Sequence, residues 1–243
     1  MSNIIRIFFT IPLAFTLLVS LTAQETNSQN LGIGVTAGVN TSTHLHNFRF
    51  AIEDISLDLS PGISSGYNAG IIIRQGIHHN LRFQAEPGIA FLGAKYDDSF
   101  TLRGFDFQTE SETELLYVQL PLLLQLTTTP PERTVYGRQW PETTYHLTGG
   151  IFGGYLLDGT FSGTNTGAPI GIEFQGDFSN NITDQYTFYD AGVVLGGGLE
   201  HGFNTKFGLE ARLIFSVVNS GDAPQINFRT QNIAATLSFY FLL

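Results

Sequence analysis

In the run ELLYVQLPLLLQL (114–126), Leu116, Val118, Leu120, Leu122, Leu124 and Leu126 occupy every second position, and Tyr117, Gln119 and Gln125 fall between them. Successive Cβ atoms of a β-strand point to opposite faces, so period two is the signature of a strand with one apolar side. A helix would set Gln119 beside Leu122 and Leu123 and hold Pro121 in its interior, at a cost of about 3 kcal/mol. The run is a strand.

The same alternation recurs along most of the chain. Leu31, Ile33, Val35, Ala37 and Val39 alternate with Gly32, Gly34, Thr36, Gly38 and Asn40. Tyr67, Ala69, Ile71 and Ile73 alternate with Asn68, Gly70 and Arg74, and Leu81, Phe83, Ala85, Ile89 and Phe91 with Arg82, Gln84, Glu86 and Gly88. Further strands are expected over about 143–157, 187–200, 205–217 and 230–243, giving eight. The connections after strands one, three, five and seven (42–64, 95–112, 158–185, 218–229) are long and polar. Two of the other three, 75–80 and 201–204, are short, and the middle one, 127–142, is longer. Alternating long and short ends are the plan of a membrane barrel, which has short periplasmic turns and longer outer loops.

A soluble barrel and a membrane barrel share this period but invert its faces: the apolar side points inward in the first and toward lipid in the second. Composition bears on the choice. Only 13% of residues are charged and 42% are hydrophobic, against roughly 25% charged in soluble domains. The polar faces carry glycines beside a few long charged side chains: Arg74, Arg82, Glu86, Asp190, Glu200, Lys206, Glu210 and Arg212. Glycine weakens a solvated strand but leaves room inside an eight-stranded ring, whose interior is just wide enough to be filled by side chains. The four positive and four negative charges are expected to pair across that lumen and close it. The opposite faces then form a lipid-facing belt that includes Leu116, Val118, Leu120, Leu122, Leu124, Leu209, Leu213, Leu237 and Phe239. The expected fold is an all-β, eight-stranded antiparallel up-and-down transmembrane barrel. Pro87 and Pro121 each remove a ladder donor and are expected to mark β-bulges.

Ahead of the barrel, Arg6 is followed by the apolar stretch Ile7 to Leu21 and by Leu21-Thr22-Ala23, the pattern of a secretory signal peptide over 1–23. The barrel domain is then 24–243.

The segments GYNAGIIIRQGIHHNLRFQAEPGIAF (66–91), YVQLPLLLQL (117–126) and DAGVVLGGGLE (190–200) resemble the PorT-like family of bacterial outer-membrane β-barrel proteins. That resemblance implies location in the outer membrane of a Gram-negative cell. It implies, for one branch, an accessory role in type IX secretion.

No motif carries recognisable chemistry. His44 and His46 could share a metal, but no third ligand is evident. Asp97-Asp98 lacks a calcium-loop context, and Gly149-Gly150 and Gly153-Gly154 lack the lysine and helix of a phosphate loop. A lipid-modifying enzyme could use His146, which shares a face with Thr144 and Thr148, although no G-x-S-x-G elbow occurs. A soluble ligand carrier of the calycin type is a further alternative. No cofactor and no enzymatic activity are expected. The net charge of −10, with no basic cluster, argues against nucleic acid. The expected partners are outer-membrane lipid and an envelope or secretion-machinery protein, for which the connection containing Trp140 is a candidate contact.

Overall fold

The computed structural model describes residues 31–45, 48–52, 55–102, 105–128, 134–135, 138–139, 142–168, 172–202, 205–219 and 230–243. The chain divides into Met1–Asn30 and Leu31–Leu243, and all described residues belong to the second unit. The expected signal peptide, His46 and Trp140 lie outside the described residues.

Eight strands make the wall: β1 Leu31–His44, β2 Pro61–His78, β3 in two runs (Leu81–Ala85 and Gly88–Leu102), β4 Phe105–Thr127, β5 Glu142–Gly167, β6 Tyr189–Gly202, β7 Lys206–Ser216 and β8 Asn232–Leu242. Each pairs antiparallel with the next, and β8 pairs back onto β1, with Val35 opposite Phe241 and Val39 opposite Leu237. The sheet therefore closes, and no wall strand within the ring keeps an open edge.

The faces follow from the alternation. On β4 the outward positions Leu116 to Leu126 are apolar, and the next outward positions are Glu114, Glu112 and Glu110. That apolar row spans about 34 Å along the strand, or about 24 Å of height at a tilt near 45°, close to the ~25 Å lipid belt of a membrane barrel. Leu209, Leu213, Leu237 and Phe239 lie on the same outer surface, each more than two-fifths exposed. Aromatic rings sit at both rims of the belt, where amphipathic rings favour the head-group level. Tyr155 stacks on Phe188 and meets Tyr189 edge-on near one rim, and Tyr67 packs on Phe91. Phe207 contacts Phe239 and Phe241 toward the other rim.

Both prolines depart from expectation: neither marks a bulge. Pro121 stands opposite Phe152, between the regular pairs Leu120–Gly153 and Leu122–Ile151. On its other side the register is the same before and after the gap, Ala85 with Leu122 and Gly88 with Gln119. Glu86 N–H donates to Pro121 O at 3.0 Å, and Ile71 N–H donates to Pro87 O at 2.9 Å. In an antiparallel hydrogen-bonded pair the two residues exchange two bonds. Each proline deletes the one it would donate and keeps the one it accepts, so the ladder loses a bond without shifting register.

The connections expected over 42–64, 95–112 and 158–185 contain further strand among their described residues. β4 and β5 run for 23 and 26 residues, against the roughly 9–11 that a tilted strand needs to cross a bilayer. They continue past the belt with β3, the strand Phe174–Asn181 and the hairpin Phe48–Ile52/Ile55–Leu59 as a projecting sheet. A register shift between Leu156 and Asp158 marks the level where β5 leaves the belt and Asp158 turns outward. Backbone groups in a long polar segment need partners, and extending the hairpin supplies them.

Candidate functional site

All eight lumen charges are inward-facing. Near the short-turn end, Glu200, 1% exposed, receives three cations: Arg74 Nη1 at 2.6 Å, Lys206 Nζ at 3.1 Å and Arg82 Nη1. Tyr240 donates its hydroxyl to the same carboxylate at 3.3 Å, and the Arg74 guanidinium lies 5.3 Å from the centre of its ring. Tyr240 needs Gly208 beneath it, since a Cβ there would come within 1.9 Å of the ring. This explains one lumen glycine as space for a large neighbour.

Deeper in, Arg212 makes two bonds to Glu86 and one, at 2.7 Å, to Glu210. Thr148 donates to Glu210 at 2.6 Å. Gln84 links the clusters: it accepts from Arg74 Nε at 2.5 Å and donates to Glu86. His146 Nε2 stands 3.6 Å from Glu210, too far for a hydrogen bond. The ring is buried inside the barrel, so it does not face lipid.

The expectation of complete cross-lumen pairing is corrected at Asp190. Its carboxylate accepts from Ser216 at 2.8 Å and from Asn232 at 3.1 Å, and it makes no ion pair among the described residues. Along β6 it is ten positions from Glu200, about 33 Å of strand. Pairing is decided by height in the barrel, and among the described residues no arginine or lysine reaches Asp190.

The lumen is also more apolar than its glycines and charges imply. Leu92, Leu115, Tyr117 and Leu156 form a buried cluster with Ile182 and Tyr186, and Leu123, Phe152 and Val194 form another. Between this filling and the charges, a cavity of about 40 Å³ is lined by Asn40, Asn68, Gln119 and Arg212. Ile182 and Tyr186 come from the long connection after β5, which turns back over the long-hairpin mouth. Ile182 N–H donates to Gly159 O at 2.8 Å, and Gly159 N–H to the Thr183 hydroxyl at 2.8 Å. Above the belt, His44 Nδ1 meets the Tyr96 hydroxyl at 2.7 Å. Burial pushes the imidazole down to about 4 and the Tyr96 phenol up to about 12. Sequence reasoning missed these inward apolar residues because period two assigns only one face of each strand as apolar. Leu115 and Leu123 within the leucine-rich run were the available signal.

The remaining candidates are not brought together. Among the described residues no group of three or more His, Asp or Glu side chains could hold a metal ion. The rings of His78 and His79 lie against each other, tilted by 49°, at the β2–β3 turn. Gly149, Gly150, Gly153 and Gly154 lie within the β5 wall and pair with β4 and β6.

A closed eight-stranded sheet, apolar outside over a membrane's thickness and filled within, defines an integral outer-membrane β-barrel protein. The chain belongs to the outer membrane protein beta-barrel domain family, whose profile matches residues 22–221. No curated protein matches it. Among solved structures, it is similar to Ail, the attachment invasion locus protein of Yersinia pestis, crystallised with the heparin analogue sucrose octasulfate. The identity is 11% and the TM-score 0.35, covering 88% of this chain and 99% of that one. For OprG from Pseudomonas aeruginosa the identity is 12% and the TM-score 0.42, with 88% and 97% covered. For LpxR from Salmonella typhimurium they are 9% and 0.26, with 84% and 99% covered. At such identities these similarities carry nothing about binding or activity.

Proposed function

We propose that this protein is a sealed barrel with a structural or interaction role, acting through the sheet it projects beyond the outer membrane rather than through a pore or a reaction. The observation that carries this reading is the filling of the lumen at successive heights: the Glu200 cluster, the Arg212 cluster, the Leu123 and Leu115 clusters, and Ile182 with Tyr186. A conducting pore needs a continuous hydrated path, and a packed apolar layer interrupts one. The projecting sheet offers the area a partner would need. Its outer surface carries Glu110, Glu112, Glu114 and Asp158, and a cavity of about 880 Å³ near its tip is lined by Phe107, Phe174, Asp106 and Glu173.

The test is reconstitution into planar bilayers, with surface binding assayed on whole cells. The wild-type barrel is expected to pass no stepwise current. Shortening 96–111 together with 161–179 is expected to leave the heat-modifiable barrel intact and to abolish surface interactions. Stepwise conductance by the wild type would overturn the proposal.

The resemblance to PorT-like proteins suggests a second reading, a secretion accessory contacting its machinery at the short-turn end. In its favour, 128–141 is far longer than the other connections there, 79–80 and 203–205.

A further inference from the structure

Eight lumen charges balance in number but not in place. Arg74, Arg82 and Lys206 all make their ion pairs with the single carboxylate of Glu200. Asp190, the carboxylate that would equalise the count, is ten positions away along β6. The Gln84 bridge adds Arg212, Glu86 and Glu210 to the network, leaving four cations against three carboxylates. Within that network the imbalance is concentrated at the short-turn mouth, where three cations meet one acid. A confined charge without a counter-charge is costly, so this cluster favours an added anion.

The donors needed to hold one are present. Glu200 is saturated: Oε1 takes Arg82 and Lys206, and Oε2 takes Arg74 and Tyr240. Arg74, only 6% exposed, has Nη2 buried with no partner. Gln125, fully buried and opposite Arg82 in register, has both amide atoms unpaired. Access is available as well, because the Arg82 and Lys206 side chains are 18% and 32% exposed. Among the described residues, another inward side-chain carboxylate at this mouth is Glu142, at the start of β5. It stands opposite Gly202, itself opposite Lys206, and makes no ion pair with the three cations.

We infer that the short-turn mouth of the lumen is a binding site for a phosphate-type oxyanion, seated against Arg82 and Lys206 in the field of Arg74. Guanidinium groups match the geometry of tetrahedral oxyanions, and the ammonium adds charge without a fixed orientation. A free phosphate and a lipid head-group phosphate present the same chemistry.

The experiment uses the folded full-length barrel. In a phosphate-free sugar detergent, inorganic phosphate is titrated against chloride at constant ionic strength, with thermal unfolding as the readout. A parallel arm places the barrel in phosphatidylglycerol vesicles and measures the same unfolding against phosphate-free detergent. Saturable protection by inorganic phosphate identifies the free ion; protection seen only in the vesicles, and lost in the variants below, identifies the head group. Lys206→Gln is expected to weaken binding about tenfold, and Lys206→Glu to abolish it. Glu200→Gln, which removes the carboxylate that pairs with Arg74, Arg82 and Lys206, is expected to tighten it. If Glu200→Gln fails to fold, the two Lys206 variants decide alone. Absence of protection in both arms, or protection unchanged in Lys206→Glu, overturns the site.

Discussion

Placing arginine at two depths on one strand tests the inversion of faces directly. The outward apolar row of β4 runs from Leu116 to Leu126, so its midpoint falls beside Leu122. Leu126 lies four residues nearer the short-turn end, about 14 Å along the strand and about 10 Å in depth at a tilt near 45°. Half of a ~25 Å belt is about 12 Å, so Leu126 sits close to the interface while Leu122 sits at the centre. Leu122→Arg is therefore expected to cost about 2–4 kcal/mol and Leu126→Arg about 0–1 kcal/mol. Urea unfolding of the barrel in lipid vesicles, followed by gel mobility before and after boiling, reads both. Equal, small costs at the two positions would refute the reasoning, because only a bilayer imposes that gradient on one face of one strand.

Arg212→Leu strands the buried carboxylates of Glu86 and Glu210 and is expected to cost about 3–5 kcal/mol in the same assay, with part recovered by adding Glu86→Gln. A loss below about 1 kcal/mol would mean that those acids are hydrated in the folded barrel. His44 gives a pH window: its unfolded form protonates near 6.5, whereas burial holds the folded imidazole to about 4. The unfolded state therefore takes up the proton first. Stability is full above pH 6.5, falls as pH drops toward 4, and loses about 3 kcal/mol across that window. His44→Gln should flatten the dependence, and an unchanged slope in that variant counts against the assignment. Shortening 128–141 should leave the barrel folded but remove a partner recovered by pull-down, if the short-turn end serves secretion machinery. Recovery of the same partner by the shortened chain dismisses that role.

Much of the wall was legible because a strand's face is a local property. Leu120 and Leu122 point the same way whatever the rest of the chain does, and the polarity change from Leu116 to Glu114 marks where lipid ends. The prolines were misread for an equally physical reason. Whether a missing donor breaks a ladder depends on which bond of a pair it removes, and Pro87 and Pro121 each retain the bond they accept. The long polar connections hid strands because their extension is stabilised by neighbouring strands and not by any pattern of their own.

The lumen divides along the same line. Local alternation alone put Arg74, Arg82, Glu86, Glu200, Lys206, Glu210 and Arg212 on inward faces. It could not say that three of the cations share Glu200, that Asp190 sits apart, or that Leu123 and Tyr186 fill the heights between and above. Those outcomes depend on the stagger with which eight strands close into a ring, a quantity distributed over every pairing at once. Period two follows from the geometry of a single strand, whereas which side chains share a level is decided only when β8 meets β1.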